Sequence, residues 1–314
     1  MPAILEVHNL VKKYGDFTAV KGISFDIKEG EIFSLLGPNG AGKTTTISVL
    51  STLYAPTSGD VSVGGHSVTQ DPMAVRRLIG MVPQDLALYD DLTATENLAF
   101  WGQMYGLGGK ALKQRIAEVL EQIGLTERAN QRVKTYSGGM KRRVNIGVGL
   151  LHRPRLLFMD EPTVGIDPQS RRAILDSVKE LNHQGMTVLY TTHYMEEAAE
   201  LSDRVGIIDH GELMALGTQA ELTQQVGEHE SLLLHLGEAD NPAPLAAALR
   251  GLPGVLRAEV SDHTVTVVTV EAEDMVAPVI SKANELKVKI RSVDIQEPNL
   301  ETVFLSLTGR ALRD

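Results

Sequence analysis

The chain opens with apolar and polar positions alternating in short β-rich runs broken by turn signals, first ILEVHNLVKKYG and then TAVKGISFDIKEGE. A continuous apolar run from Ile32 to Gly37 follows and reads as a buried strand. From Gly42 to Leu53 the spacing turns helical. Between Asp71 and Ile123 further helices are predicted, among them TATENLAFWGQMYGL and KALKQRIAEVLEQIGL, with apolar residues three to four apart. Strand and helix then alternate: RLLFMDEP, SRRAILDSVKELNHQG, MTVLYTTH, YMEEAAELSD and RVGIIDHGEL. That alternation predicts a parallel sheet covered by helices, with a turn at Asp209-His210-Gly211 leading into a short hairpin.

Around QQVGEHE, Gln224 to Glu230, the pattern changes character. The spacing predicts a strand over Ser231 to Leu236, a helix over Pro244 to Leu252, strands over Val255 to Ser261 and Thr264 to Glu271, a helix over Asp274 to Leu286 and a strand over Val288 to Ile295. That order is βαββαβ, the ferredoxin-like arrangement, and a helical segment, NLETVFLSLTGRAL, follows it. The expected organisation is an α/β domain over 1–224, with a helical subdomain at about 86–145, and a small α+β accessory domain over 225–314. No internal repeat or low-complexity tract interrupts it.

Composition adds bounds. A chain of 314 residues, 43% of them hydrophobic, can bury the cores of one large or two unequal domains. The net charge of -10 argues against a nucleic-acid partner, because a phosphate backbone rewards clustered Lys and Arg. The absence of cysteine excludes disulfides and thiolate metal sites and fits a reducing compartment. MPAILEVHNLVKKYG lacks the basic start and apolar core of a signal peptide, so none is expected. No apolar run approaches the roughly 18 residues of a membrane span, so any membrane role calls for another chain.

The chemistry concentrates in GPNGAGKTT, where Gly37, Pro38, Asn39, Gly40, Ala41, Gly42, Lys43, Thr44 and Thr45 fit G-x-x-x-x-G-K-[ST] between a strand and a helix. Glycines let backbone amides turn toward phosphate oxygens, Lys43 reaches the β and γ phosphates, and the Thr44 hydroxyl can ligate Mg²⁺. Asp160 and Glu161 end an apolar strand. Beside such a loop, Asp160 would hold Mg²⁺ through water and Glu161 would orient and deprotonate the attacking water.

Other candidates each have a plain reading. Gln84 could reach the metal or the attacking water, or be a turn residue. His193 could touch the γ phosphate, or cap a strand. Tyr14 could stack on a purine, or pack. Asp167 reads first as a helix cap before Pro168. In TYSGGMKRR, Ser137-Gly138-Gly139 at a helix start makes a second anion receptor, while Lys141, Arg142 and Arg143 read as a solvated helix face.

Taken in order and spacing, Tyr14, Gly37 to Thr44, Gln84, Ser137-Gly138-Gly139, Asp160, Glu161, Asp167 and His193 resemble the ATP-binding subunits of ABC transporters over about residues 4 to 220. The resemblance implies an adenine-stacking aromatic, Walker A, Q-loop, signature, Walker B with its catalytic Glu, D-loop and switch His at those positions. It implies the P-loop ATPase fold of that family and a Mg²⁺-dependent ATPase that binds two ATP at a head-to-tail dimer interface, where YSGGM caps the γ phosphate held by the other subunit. Tyr136 and Met140 depart from the family's usual LSGGQ, and Met140 removes one polar contact.

The tail, QEPNLETVFLSLTGRALRD, is similar to that of daunorubicin-resistance-type ATPases. Those pair with separately encoded ABC-2-type permeases at the cytoplasmic face of the membrane, as a homodimer or with a paralogous ATPase, and export drug-like or lipid-like compounds. The competing readings are a soluble regulatory ABC ATPase acting on nucleic acid or a ribosome, an importer ATPase, and a ligand-sensing module. A single Walker A loop and the acidic charge argue against the first, the core motifs leave transport direction open, and Glu161 argues for turnover against the last.

Overall fold

A computed structural model describes residues 2–226, 230–237, 240–296 and 299–308. They divide into two compact units, one running to Thr218 and the other beginning at Gln219, a few residues ahead of the change of character near 225.

In the first unit the elements are β1 (Ala3–Tyr14), β2 (Phe17–Lys28), β3 (Ile32–Leu36), α1 (Lys43–Leu50), β4 (Ser58–Val63), β5 (His66–Ser67), α2 (Pro72–Leu78) and β6 (Ile79–Val82). A helical stretch follows with α3 (Ala94–Met104), α4 (Gly109–Gln122) and α5 (Gly138–Leu150). Then come β7 (Leu156–Asp160), α6 (Pro168–His183), β8 (Thr187–Thr192), α7 (Met195–Leu201), β9 (Arg204–Asp209) and β10 (Glu212–Gly217).

The strands form an antiparallel sheet in the order β2-β1-β4-β5 and a mostly parallel sheet in the order β10-β9-β3-β8-β7-β6. The predicted hairpin after Asp209 is the antiparallel β9-β10 pair at one edge. The parallel strands are buried on both faces, which is why they read as unbroken apolar runs. Along β7, Leu156 and Phe158 face the antiparallel sheet together with Phe25, Phe33 and Ile47, while Leu157 and Met159 face the helices with Leu98, Val119, Val144 and Ile174. Each such fully buried side chain contributes roughly 1.5–3 kcal/mol.

The second unit comprises α8 (Gln219–Val226), β11 (Glu230–Leu236), α9 (Pro242–Leu249), β12 (Val255–Ser261), β13 (Thr264–Thr269), α10 (Ala272–Glu285), β14 (Ile290–Gln296) and α11 (Leu300–Thr308). Its sheet is wholly antiparallel in the order β12-β13-β11-β14, the ferredoxin-like pattern. Leu232, Leu234, Val265 and Val267 alternate toward α9 and α10, meeting Leu245, Leu249, Met275 and Val279. α9 starts earlier than its apolar spacing suggests because Asn241 caps it, accepting from the Ala243 amide at 3.1 Å, with Pro242 in the first turn. α8 packs with α11, and the sequence reading of the tail beyond Thr308 lies outside the described residues.

Candidate functional site

Four neighbouring parallel strands, β3-β8-β7-β6, bring the chemistry together, because ligands of such sheets gather at the carboxyl ends of the strands. The loop Gly37 to Gly42 follows β3, His193 follows β8, Asp160 and Glu161 end β7, and Gln84 lies just past β6.

The loop after β3 turns into α1 at Gly42, whose φ of 105° suits glycine, and where a Cβ would meet the Ala19 carbonyl at 2.8 Å. Gly42 offers no side chain to the first-turn amides of α1, which leaves them facing any anion in the loop. Lys43 is buried, and its Nζ donates to the carbonyls of Gly37 at 2.6 Å and Pro38 at 2.9 Å. The same ammonium lies 2.9 Å from Glu161 Oε1, and His193 Nδ1 is 3.2 Å from Glu161 Oε2. Both oxygens of one buried carboxylate are therefore held, one by a cation and one by an imidazole.

Asp160 is 2% exposed. Its Oδ1 accepts from Thr191 Oγ1 at 2.7 Å and from Thr44 Oγ1 at 3.3 Å. Burial pushes this carboxyl up against those two hydroxyl bonds. Thr44 and Asp160 thus converge as hard oxygen donors, a chemistry that suits Mg²⁺. Glu161 itself sits at φ 44°, a left-handed conformation uncommon for a side-chain-bearing residue. Its amide is anchored to the carbonyl and hydroxyl of Thr191 at 3.2 and 3.0 Å. Such strain persists where surrounding bonds over-determine it.

A second cluster forms at the start of α5. Ser137 is the N-cap of that helix, its Oγ accepting from the Met140 amide at 3.2 Å, so the hydroxyl hydrogen is left to donate outward. Ser137 and Gly138 are exposed. Gly139 is buried, because a Cβ there would lie 2.3 Å from Ser170 Cβ. Ser170 belongs to the first turn of α6, whose N-cap is Asp167: Oδ1 accepts from the Ser170 amide at 2.9 Å, and the Ser170 hydroxyl first, with that amide second, holds this carboxyl below its usual range. The signature turn and the Asp167 turn are one packed unit.

Two further candidates are exposed. Tyr14 is 44% exposed, edge-on to Tyr54 at 6.1 Å with the Lys12 ammonium 5.0 Å from its ring. Gln84 is exposed, and its carbonyl accepts a bond from Arg142.

Arg142 corrects the reading of Lys141 to Arg143 as a solvated face. Arg142 is 4% exposed, Arg143 donates to the Ile123 carbonyl at 3.1 Å, and Lys141 pairs with Asp90 at 2.9 Å. Three more residues that the sequence reading did not single out serve the site. Thr191 holds both Asp160 and Glu161, and Asn145 accepts from the Ala87 amide at 3.1 Å. Glu197 is buried and accepts from Tyr190 and Thr192 hydroxyls, each at 2.9 Å, steadying the strand that ends at His193. For Asn145 the available signal was its place in the otherwise apolar run VNIGVGLL, whereas Thr191 and Glu197 carried no comparable local signal.

A phosphate loop beside paired carboxylates, at the ends of parallel strands separated by one strand, defines a P-loop nucleotide hydrolase. The sequence profile of the ABC transporter family matches residues 20–164. The linearmycin resistance ATP-binding protein LnrL of Bacillus subtilis (strain 168) is 50% identical over 318 residues, 99% of this chain and 100% of that protein. The daunorubicin/doxorubicin resistance ATP-binding protein DrrA of Streptomyces peucetius is 38% identical over 310 residues, covering 99% and 94%. Among solved structures, a dimeric post-hydrolysis ATP-binding cassette bound to ADP and Pi is 30% identical with a TM-score of 0.61, covering 68% of this chain and 98% of that one. The chain belongs to the ATP-binding subunits of ABC transporters, and it is an ATP-hydrolysing enzyme.

Proposed function

We propose that this subunit binds two ATP in a head-to-tail pair and drives export of a drug-like or lipid-like compound through a separate ABC-2-type permease at the cytoplasmic face of the membrane. Among the described residues no helix is long and apolar enough to cross a membrane, so the pathway belongs to another chain. The resistance proteins at 50% and 38% identity along nearly the whole chain support export over import or a nucleic-acid role. The pair is two copies of this chain or this chain with a paralogue.

In this reading the first-turn amides of α1 and the loop from Gly37 through Thr45, including Asn39, Gly40 and Ala41, receive the phosphates, and Tyr14 stacks on the adenine. Lys43 moves its ammonium from the loop carbonyls to phosphate oxygens. Thr44, Gln84 and, through water, Asp160 would hold Mg²⁺, which supplies positive charge against the β and γ phosphates. Glu161 accepts a proton from the attacking water while His193 orients it and the γ phosphate. Ser137, Gly138 and Gly139, with Asp167 behind them, cap the γ phosphate bound by the companion. Two-fold pairing supplies both halves twice.

The observation that carries the reading is the Lys43–Glu161–His193 chain, with contacts of 2.9 and 3.2 Å, at the ends of adjacent strands. The permease is proposed to dock on the helical subdomain, where Leu86, Tyr89, Phe100, Met104 and Tyr105 are exposed as an apolar group, Tyr89 stacking edge-on with Phe100 at 5.0 Å. The test is Pi release by purified protein across a dilution series, with identification of what co-purifies from solubilised membranes. The expected result is activity that falls faster than concentration, and an ABC-2-type permease in the eluate. Full specific activity from a strict monomer overturns the reading.

A further inference from the structure

α5 does two things at once. Its N-cap is Ser137, and one turn in it buries Arg142, followed three positions later by Asn145, at 4% and 1% exposure. Arg142 donates through Nη1 to the Pro83 carbonyl at 2.8 Å and through Nη2 to the Gln84 carbonyl at 2.7 Å. Asn145 accepts from the Ala87 amide at 3.1 Å and donates to the Pro83 carbonyl at 3.4 Å. The segment 83–87 that receives these bonds has neither helix nor strand, so side chains of α5 stand in for a ladder partner.

Stability alone does not explain the arginine. A guanidinium buried against neutral carbonyls loses hydration without a contacting carboxylate, although the charge of Asp85 acts on it, so much of what its hydrogen bonds contribute offsets its own desolvation. Its Nε also has no hydrogen-bond partner, and burial lowers the group's proton affinity, as desolvation requires. What the arginine does provide is a bidentate grip on two successive carbonyls, which fixes the backbone of Gln84 to the helix that begins at Ser137.

We propose that Arg142, seconded by Asn145, is a positioning residue that couples the two nucleotides of the dimer. Gln84 faces the metal and phosphate of the ATP held by its own subunit, whereas Ser137 faces the ATP of the companion, and a 13-residue helix joins the two as one body. Occupancy of one site thereby sets the placement of the turn offered to the other. The proposal rests on the assignments of Gln84 and Ser137 made above.

The experiment compares the full-length wild type with Arg142→Met, Arg142→Lys and Asn145→Leu, reading the ATP dependence of Pi release, nucleotide affinity in dilute monomer and thermal midpoint. The wild type should show a Hill coefficient clearly above one. Arg142→Met should bring it to one and lower kcat at least ten-fold, with monomer affinity within two-fold and a thermal midpoint lowered only modestly, because the Pro83 and Gln84 carbonyls lose a donor. Arg142→Lys, which keeps the charge but not the planar fork that fits two carbonyls at once, should fall between, and Asn145→Leu should shift the Hill coefficient in the same direction by less. If Arg142→Met yields no folded protein, Arg142→Lys carries the test.

A wild-type Hill coefficient of one, unchanged cooperativity in both arginine variants, or parallel loss of affinity and thermal midpoint would each overturn the coupling. The underlying reading fails differently: a wild type with no Mg²⁺-dependent hydrolysis, or none that depends on pairing.

Discussion

The two turns proposed to receive phosphate are built in opposite ways. Around the loop after β3, Lys43, Asp160, Glu161 and His193 are all under 9% exposed, and each of their charged groups meets a partner from a neighbouring strand end. At the start of α5, Ser137 and Gly138 lie on the surface, and the bonds are local: Ser137 to Met140 and Asp167 to Ser170. A buried charge network is costly unless completed, and this one is completed within the chain. A surface turn carries no such debt and can wait for a companion. In the proposed mechanism the contrast puts the groups assigned to bond breaking inside the subunit and those assigned to capping on its surface.

The most severe break of that contrast is Glu161→Gln, which removes the proton acceptor from the interior site alone. Turnover should fall about 100-fold or more, while MgATP binding persists and light scattering shows an ATP-dependent dimer that no longer dissociates. Normal hydrolysis by this variant would sink the assignment of Glu161 as base. Next is Ser137→Arg, which fills the outer turn: turnover should drop by roughly the same order with nucleotide affinity of the monomer intact. Loss of monomer binding instead would mean that the outer turn serves its own chain's nucleotide.

A smaller effect probes what holds the outer turn in shape. Gly139→Ala should cost about 1–3 kcal/mol of overpacking as a lowered thermal midpoint, partly recovered by Ser170→Gly, since the clash at 2.3 Å is with the Ser170 side chain. No recovery would show that the α5–α6 contact is not the cause. Smallest is Tyr14→Ala: an exposed stacking aromatic is worth on the order of 1 kcal/mol, so KM for ATP should rise several-fold with kcat unchanged. A change in kcat alone would remove Tyr14 from the adenine.

Much of the interior site was legible from sequence because its residues sit at strand ends announced by fully apolar runs, as RLLFMDEP announces Asp160 and Glu161. The alternation in TVTVV likewise marks β13, with Val265 and Val267 facing the core. Strand order was not legible beyond its class, since β3 pairs with β8 and β9, which follow it by more than a hundred and fifty residues. Arg142 was misread for a physical reason. Three consecutive cations at a helix start suggest solvent, and only packing reveals that the second of them lies under the 83–87 segment. Lys43 was placed by its motif, but its contact with Glu161 depends on two loops meeting across β8, which no local pattern encodes.

The left-handed torsion at Glu161 limits which experiments at that position can be interpreted. Gln is unbranched at Cβ like Glu and inherits the same torsional penalty, on the order of 1–2 kcal/mol, so a Glu161→Gln variant changes the headgroup while leaving the main chain under its original stress. Glycine releases that stress and valine or threonine aggravates it, so those variants would confound lost reactivity with a relaxed or dislocated strand terminus. Setting glutamine beside glycine in one stability assay would therefore measure how much mechanical tension the hydrolytic corner stores.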